Sequence, residues 1–194
     1  MADSIIFGKK TKRNLAEIYE SYKTSGDCGH GDKGTVHSYI EHYSKLLEPY
    51  RKNSTMLELG LLGGESLEMW NEYFIKSTIV GIEIFEDRIQ RLLGDDRYNI
   101  IIGDSTKPDI TEKLKDWDGF DVIVDDGSHY VGCQTNTFNN LKEKMNPGGI
   151  YIIEDVRAID DDKEHFESLH DNCEVIDLRS VKDRSDDVLI VYRF

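Results

Sequence analysis

The chain has 194 residues, a length typical of one domain that buries its core without disulfides or structural metals. Its 24 Lys and Arg residues against 38 Asp and Glu residues give a formal net charge of −14. This charge argues against nucleic acid and anionic membranes as partners, because phosphates attract a basic surface. The hydrophobic fraction of 38% and the aromatic fraction of 10% are typical of a folded, soluble protein.

Three cysteines, Cys28, Cys133 and Cys173, lie far apart and form no CxxC pair. We therefore expect reduced thiols rather than a disulfide framework or a zinc site. We identify no signal peptide in the sequence and no apolar run that reaches the ~20 residues needed to span a bilayer. These features predict a cytoplasmic protein.

The first 50 residues are predicted to form a helical extension, and residues 51–194 a separate domain. Apolar residues recur at helical spacing over 15–22 and again over 36–50. A loop rich in glycine and polar residues, 25–34, joins the two helical patterns.

From residue 55 onward, strand patterns alternate with helix patterns along the chain. The predicted strands are 55–59, 77–84, 98–102, 120–126, 149–155, 173–179 and 187–193. The predicted helices are 66–74, 86–93, 110–117, 131–145 and 163–169. This alternation predicts an α/β fold with a mostly parallel sheet and helices on both faces. The last two strands are joined without a helix, which predicts an antiparallel hairpin at the edge of a seven-stranded sheet.

In open α/β sheets, ligands bind past the carboxyl ends of the strands, so these ends form the candidate site. The first strand runs into a glycine-rich turn, 60–64, where a helix begins and free N–H groups favour an anion. Leu62 departs from the GxGxxG pattern and weakens a dinucleotide interpretation. Glu83 follows about 20 residues later, where an acid can bind a ribose. Asp104 and Ser105 end the third strand with groups suited to an adenine edge. Together these features predict a nucleoside-containing cofactor, although each alone also suits a ligand-free turn, a surface acid or a helix cap.

Four carboxylates and a histidine occur at two neighbouring strand ends. Asp125, Asp126 and His129 follow the fourth strand, and Glu154 and Asp155 follow the fifth. Like charges this close raise each other's pKa or recruit a cation, and oxygen ligands suit Mg²⁺, or Ca²⁺ and Mn²⁺. A histidine three residues beyond Asp126 can face the same space and take a proton from a hydroxyl. The alternative is a capped loop with a solvated histidine.

The runs LELGLLGGES, GIEI, IVDDGSH and PGGIYIIEDV resemble class I S-adenosylmethionine-dependent methyltransferases, which have a Rossmann-like fold. More narrowly, they resemble the metal-dependent sugar O-methyltransferases of macrolide tailoring and the related cephalosporin-hydroxylase-like family. The segment DKGTVHSYIEHY, residues 32–43, resembles the element that precedes the core in that group. The resemblance covers about residues 25 to 157.

The resemblance implies a role for each matched position. Residues implied to bind S-adenosylmethionine are Glu58, Gly60 and Ser66 at the methionine part, Glu83 at the ribose, Ile84 next to it in the chain, Asp104 and Ser105 at the adenine, and Asp125 after the fourth strand. Lys33 and His37 are implied to close over the cofactor or the substrate. The implied ligands of Mg²⁺ or Mn²⁺ are Asp126, Glu154 and Asp155. His129 is the implied general base, with Asp126 as a second catalytic residue.

The implied function is O-methylation of a hydroxyl on a sugar or glycan, with no nucleic acid or membrane partner. A homodimer through the N-terminal helices is a further expectation. The sequence leaves open a catechol or other small vicinal diol as acceptor, and also a cofactor-binding module without catalysis. A nicotinamide oxidoreductase fits the glycine pattern less well. We expect no large N-terminal domain like that of the family, so the resemblance does not identify the acceptor or the assembly.

Overall fold

Seven strands form a single sheet in the computed structural model, which describes residues 13–23 and 31–194. The strands are β1 (Thr55–Leu59), β2 (Thr78–Glu83), β3 (Asn99–Ile102), β4 (Phe120–Asp125), β5 (Met145–Ile153), β6 (Cys173–Asp177) and β7 (Val188–Arg193). Their order in the sheet is β3-β2-β1-β4-β5-β7-β6. Neighbours from β3 to β5 pair in parallel, whereas β7 pairs antiparallel with both β5 and β6. The predicted parallel sheet with an antiparallel edge is confirmed.

Seven α-helices accompany the strands within the described ranges. They are α1 (Leu15–Lys23), α2 (Ile40–Leu46), α3 (Glu65–Tyr73), α4 (Ile110–Lys113), α5 (Val131–Leu141), α6 (Ile159–Leu169) and α7 (Arg179–Lys182). Short 3₁₀ turns occur at Glu48–Tyr50, Glu86–Arg88 and Lys142–Lys144. None of the described helices has the length and apolar character that crossing a bilayer requires. Most of the predicted 25–34 loop, including Cys28, lies outside the described residues.

Several predicted elements differ from the structure. The helix predicted over 110–117 ends at Lys113, and the helix predicted over 163–169 already begins at Ile159. The strands predicted over 149–155 and 173–179 are Met145–Ile153 and Cys173–Asp177. The predicted helix 86–93 is a 3₁₀ turn followed by further turns, whose backbone N–H groups bond three residues back, as from Leu92 to Ile89. The predicted helix 131–145 stops at Leu141, and β5 already begins at Met145 because that residue pairs with Phe120. The connection between β6 and β7 contains the single helical turn α7.

Successive strand residues point to opposite sides of the sheet, and both faces of the sheet are buried. On one face, Val122 belongs to a core cluster with Leu15, Tyr43 and Trp70 of α1, α2 and α3. The other face packs around residues such as Phe138 of α5. The N-terminal helices therefore contribute to the first core layer. The division of the chain at residue 50, and the homodimer, stay predictions.

The register of three strands places the acidic residues side by side. Leu59 of β1 is level with Asp125 of β4, which is level with Ile153 of β5. The next residue of each strand therefore lies at the same edge of the sheet. The backbone N–H of Asp126 bonds the carbonyl of Leu59, and that of Glu154 bonds the carbonyl of Asp125. This alignment positions the candidate site.

Cys173 begins the edge strand β6 and is half-buried. Burial, reinforced by Glu167 and Glu174, raises the pKa of its thiol from 9.0 to about 11. At pH 8 this shift lowers the thiolate fraction about 100-fold, so we expect iodoacetamide to label Cys173 about 100-fold more slowly than an unfolded peptide thiol. The rate should rise as the pH approaches the pKa. Peptide mass spectrometry measures this rate, and labelling as fast as the peptide would contradict the prediction.

Candidate functional site

A cavity of about 990 Å³ opens at the carboxyl ends of β1 to β4, a volume in the range of small-molecule sites. Predicted site residues that line it are Lys33, Gly60, Ser66, Glu83, Ile84, Asp104, Ser105, Asp126 and His129. Predicted site residues that are at most 3% exposed and lie behind its wall are His37, Glu58, Asp125, Glu154 and Asp155. The structure therefore brings the predicted residues to one region in two layers.

The glycine turn after β1 forms one wall of the cavity. Gly60 has φ +78°, and a Cβ there would overlap the carbonyl oxygen of Asp126, so only glycine allows the two strand ends to touch. Glu83 braces the turn, because its Oε2 accepts the backbone N–H groups of Leu61 at 2.9 Å and Leu62 at 3.0 Å. A carboxylate oxygen has further acceptor capacity, so the predicted ribose contact remains compatible with this geometry.

Short polar groups and apolar side chains line the far end of the cavity. Asp104 Oδ1 accepts the backbone N–H of Thr106 at 2.9 Å and its hydroxyl at 2.6 Å, which fixes the turn after β3. Leu62, Ile84 and Phe85 are exposed apolar residues that line the same cavity. Side chains of both kinds suit a planar base with a polar edge.

Asp126, Asp155 and His129 form the acidic centre of the site. Nε2 of His129 lies 3.5 Å from Asp126 Oδ1 and 3.6 Å from Asp155 Oδ2. The second oxygen of each carboxylate is held from behind, Asp126 Oδ2 by the Lys33 ammonium at 2.7 Å and Asp155 Oδ1 by the Tyr39 hydroxyl at 2.8 Å. One oxygen of each acid therefore faces the histidine. The facing oxygens of Asp126 and Asp155 lie within 4.8 Å of each other and of the imidazole nitrogen, and this pair of carboxylate oxygens fits Mg²⁺ or Mn²⁺.

Glu154 is engaged in a different group of contacts, on the buried side of the centre. Its Oε1 accepts hydrogen bonds from the Lys33 ammonium at 2.7 Å and from the Tyr43 hydroxyl. The same ammonium lies 3.5 Å from Oε1 of Glu58, whose Oε2 accepts the Ser66 hydroxyl at 2.7 Å. The fit to a divalent cation thus depends on Asp126 and Asp155, and the ligand role of Glu154 stays a prediction.

Burial and charge oppose each other in this cluster. Burial alone would lower the pKa of Lys33, but attraction from Asp126, Glu154 and Glu58 outweighs it and raises that pKa above the ordinary value. Burial raises the pKa of Glu154 and of Glu58. It opposes ionisation of Asp126 as well, yet the Lys33 charge and the His129 hydrogen bond hold the pKa of Asp126 below its usual value. Lys33 is therefore a permanent cation that keeps Asp126 ionised.

Like Glu58, two further residues implied to bind the cofactor lie in the protein interior. His37 stacks on Tyr39 with ring centres 4.8 Å apart, and its Nδ1 lies 3.4 Å from a carboxylate oxygen of the buried Asp187. Asp125 accepts the Tyr151 hydroxyl at 3.1 Å, and burial raises its pKa to about 7. Both support the cavity wall, and their contacts with a cofactor stay predictions.

Sequence reasoning missed several residues of the site. The sequence pattern predicts Tyr39 and Tyr43 only as part of the apolar face of a helix. Helical spacing alone does not distinguish a tyrosine whose hydroxyl forms a buried hydrogen bond from a residue that is buried only for its apolar ring. Arg157 and Tyr130 line the cavity beside His129. The guanidinium of Arg157 lies 3.3 Å from His129 Nδ1. No sequence signal distinguished these two residues from surface positions.

Curated relatives of the chain are O-methyltransferases. The mycinamicin VI 2''-O-methyltransferase of Micromonospora griseorubida is 30% identical over 155 residues, which are 75% of this chain and 36% of that protein. The 8-demethyl-8-alpha-L-rhamnosyl tetracenomycin-C 2'-O-methyltransferase of Streptomyces olivaceus is 32% identical over 139 residues, 66% of this chain and 36% of that protein. This chain therefore spans about a third of the length of these relatives. No protein-family model matches the chain.

Solved structures show the same fold. The MycE methyltransferase of the mycinamycin pathway, in complex with Mg and SAH (S-adenosylhomocysteine), has a TM-score of 0.71 at 22% identity and covers 95% of this chain and 55% of that one. An O-methyltransferase from Bacillus cereus in complex with SAH has a TM-score of 0.63 at 16% identity and covers 98% of this chain and 94% of that one.

The fold is therefore that of the class I S-adenosylmethionine-dependent methyltransferases, as the motifs predict. Within that class the chain is similar to the macrolide sugar O-methyltransferases, and the resemblance found in the sequence is confirmed.

Proposed function

We propose that the chain is an S-adenosylmethionine-dependent, divalent-metal-dependent O-methyltransferase that acts on a sugar hydroxyl. The observation that carries the proposal is the juxtaposition of Asp126, Asp155 and His129 with a cavity whose other walls are the glycine turn and the ends of β2 and β3. Relatives whose names give a rhamnosyl tetracenomycin and an olivosyl oleandolide as the methylated compounds support a sugar as acceptor.

The end of the cavity near the glycine turn would bind S-adenosylmethionine, which supplies a methyl group on a positively charged sulfur. Glu83 and Asp104 offer carboxylate oxygens there, for ribose and adenine respectively. The acidic centre nearby favours a cationic sulfonium over the neutral product, because opposite charges attract at short range. This difference would favour release of the product.

The other end of the cavity would bind the acceptor. A divalent cation held by Asp126 and Asp155 would lower the pKa of a hydroxyl. Lys33 and Tyr39 orient the two carboxylates, each through the oxygen that faces away from His129. His129 accepts the hydroxyl proton while the oxygen forms its bond to the methyl carbon and the carbon–sulfur bond breaks. Base catalysis of this kind typically accelerates a reaction about 10²- to 10⁴-fold.

We expect the purified protein to transfer a labelled methyl group from S-adenosylmethionine to members of a panel of deoxysugars and glycans. EDTA should stop the transfer and Mn²⁺ should restore it, because the two carboxylates alone do not activate the hydroxyl. Asp155→Asn should weaken Mn²⁺ binding, measured by calorimetry, at least about tenfold, since it removes one of two charged ligands. Asp161→Asn, an exposed acid of α6, is the matched control and should bind Mn²⁺ as the native chain does.

Three other outcomes of this experiment would each contradict part of the proposed function. Transfer that persists in EDTA would refute the metal requirement. Transfer to catechol but to no sugar would support the diol alternative. Tight binding of S-adenosylmethionine without transfer to any acceptor would support a binding module without catalysis.

A further inference from the structure

Two arginines differ from all others in the chain. The sequence contains nine arginines, all within the described ranges, and seven of them form ion pairs with Asp or Glu. Within the described part of the chain, Arg88 and Arg157 form none, and both line the cavity. In a protein with a net charge of −14, two cations without carboxylate partners at one cavity indicate that the cavity binds a negatively charged ligand.

The two arginines lie at different ends of the cavity. Arg88 packs over the ring of Phe85, 4.5 Å from its centre, next to the predicted ribose position. Arg157 lies 3.3 Å from His129 Nδ1 and 6.0 Å from the centre of the Tyr130 ring. Only Arg157 therefore lies beside the proposed base, where the acceptor must bind.

The carboxylates near Arg157 have other partners. Asp155, two residues earlier, directs its oxygens to Tyr39 and His129. Asp160, three residues later, forms a bidentate pair with Arg179. The exposed guanidinium thus retains donors for a ligand, and a guanidinium binds carboxylate and phosphate through paired hydrogen bonds.

Tyr130 supplies the second element of the same subsite. Its side chain is 69% exposed although it lines the cavity, and its ring lies under the Arg157 guanidinium. An exposed aromatic ring offers an apolar face with a polar tip, which suits packing against the C–H face of a sugar. A cation above such a ring is partly held in place, so less of its freedom is lost on binding.

We propose that Arg157 and Tyr130 form the acceptor subsite and that they select a sugar bearing an anionic group, either a carboxylate or a phosphate. This inference rests on the proposed function, which supplies the neighbouring base. Because the chain as a whole repels anions, an anionic acceptor needs a local cation in order to bind. The guanidinium would supply that cation, and the contact would hold the hydroxyl of the acceptor near His129. A neutral acceptor would gain little from an uncompensated guanidinium at this position.

The test compares acceptors that differ in one charged group. Methyl glucoside, methyl glucuronide and glucose 1-phosphate are offered with labelled S-adenosylmethionine and Mn²⁺, and kcat/KM is measured for each. We expect at least one anionic acceptor to exceed the glucoside about tenfold, the low end for a hydrogen bond to a charged group because the guanidinium is exposed. The anionic acceptor with the higher kcat/KM shows whether the subsite selects a carboxylate or a phosphate.

Arg157→Gln should lower the ratio of anionic to neutral kcat/KM about tenfold, and Arg157→Lys should recover part of it. Arg97→Gln is the control, since Arg97 pairs with Asp95 outside the cavity, and it should keep the native ratio. An unchanged ratio in Arg157→Gln, or a native preference for the glucoside, would overturn the inference.

A binding experiment keeps this inference separate from the proposed function. Saturation-transfer NMR with the same three sugars is recorded on protein loaded with SAH and the diamagnetic ion Mg²⁺. If no sugar is methylated but the anions bind in an Arg157-dependent manner, the transfer reaction fails and the anion subsite stands. If the glucoside binds as well as both anions, the subsite is refuted whether or not transfer occurs.

Discussion

Replacing His129 with alanine is expected to lower kcat for methyl transfer about 10²- to 10⁴-fold, the usual contribution of a general base. The imidazole lines the cavity, and its Nε2 lies 3.5 Å from Asp126 Oδ1 and 3.6 Å from Asp155 Oδ2. Without it, no other described side chain beside the two carboxylates is placed to remove the hydroxyl proton. Because the loss concerns the transition state, KM for S-adenosylmethionine should change less than about threefold. Steady-state kinetics with a labelled methyl group measure both constants.

His165→Ala is the matched control for this prediction. His165 is an exposed histidine of α6 that contacts Thr135 at 2.8 Å and does not line the cavity. Its replacement should leave kcat at the native value. A His129→Ala protein that retains more than about a third of native kcat would exclude His129 as the base, because a general base contributes far more than that.

The strands were predictable because local and tertiary preferences agree there. Residues 55–59, TMLEL, form a short and mostly apolar segment ahead of a glycine turn, and this segment is β1. The prediction fails where the same spacing of apolar residues is compatible with more than one backbone conformation. Ile89 and Leu92 are buried at helical spacing, but successive turns bury them equally well. Similarly, the turn residues Pro147 and Gly148 lie within β5, but as an irregularity: the pairing of β5 with β4 jumps from Met145 to Ile150, and Gly148 has φ +81°.

The location of the site was also predictable, because parallel strands align their carboxyl ends and so bring Asp126 and Glu154 together. The sequence could not show which acid contacts His129. Glu154 and Asp155 are adjacent and chemically alike, yet Asp155 adopts φ +56°, outside the strand conformation. Asp155 contacts His129, whereas Glu154 contacts Lys33 on the buried side. Such orientation depends on long-range contacts that no local pattern records.

Lys33→Met is expected to produce the largest loss of stability, about 3–5 kcal/mol in the free energy of unfolding, because it leaves buried carboxylates without their counter-ion. The side chain is 2% exposed, and its ammonium lies 2.7 Å from Asp126 and Glu154 and 3.5 Å from Glu58. Urea unfolding at pH 7 measures the loss. Lys163→Met, an exposed lysine paired with Glu167 on α6, is the control and should change stability by less than about 0.5 kcal/mol.

The pH dependence of Lys33→Met separates lost charge compensation from lost packing. Burial already raises the pKa of Glu58 and Glu154, and removing the ammonium raises both further. The folded variant then binds more protons than its unfolded state, so its stability increases as the pH falls. The deficit relative to the native chain should therefore shrink between pH 7 and pH 5. In the double variant Lys33→Met/Glu154→Gln, one of the uncompensated charges is gone, and part of the stability should return at pH 7. A deficit that is constant with pH and unchanged by Glu154→Gln would mean that the methylene groups of Lys33, rather than its charge, stabilise the site.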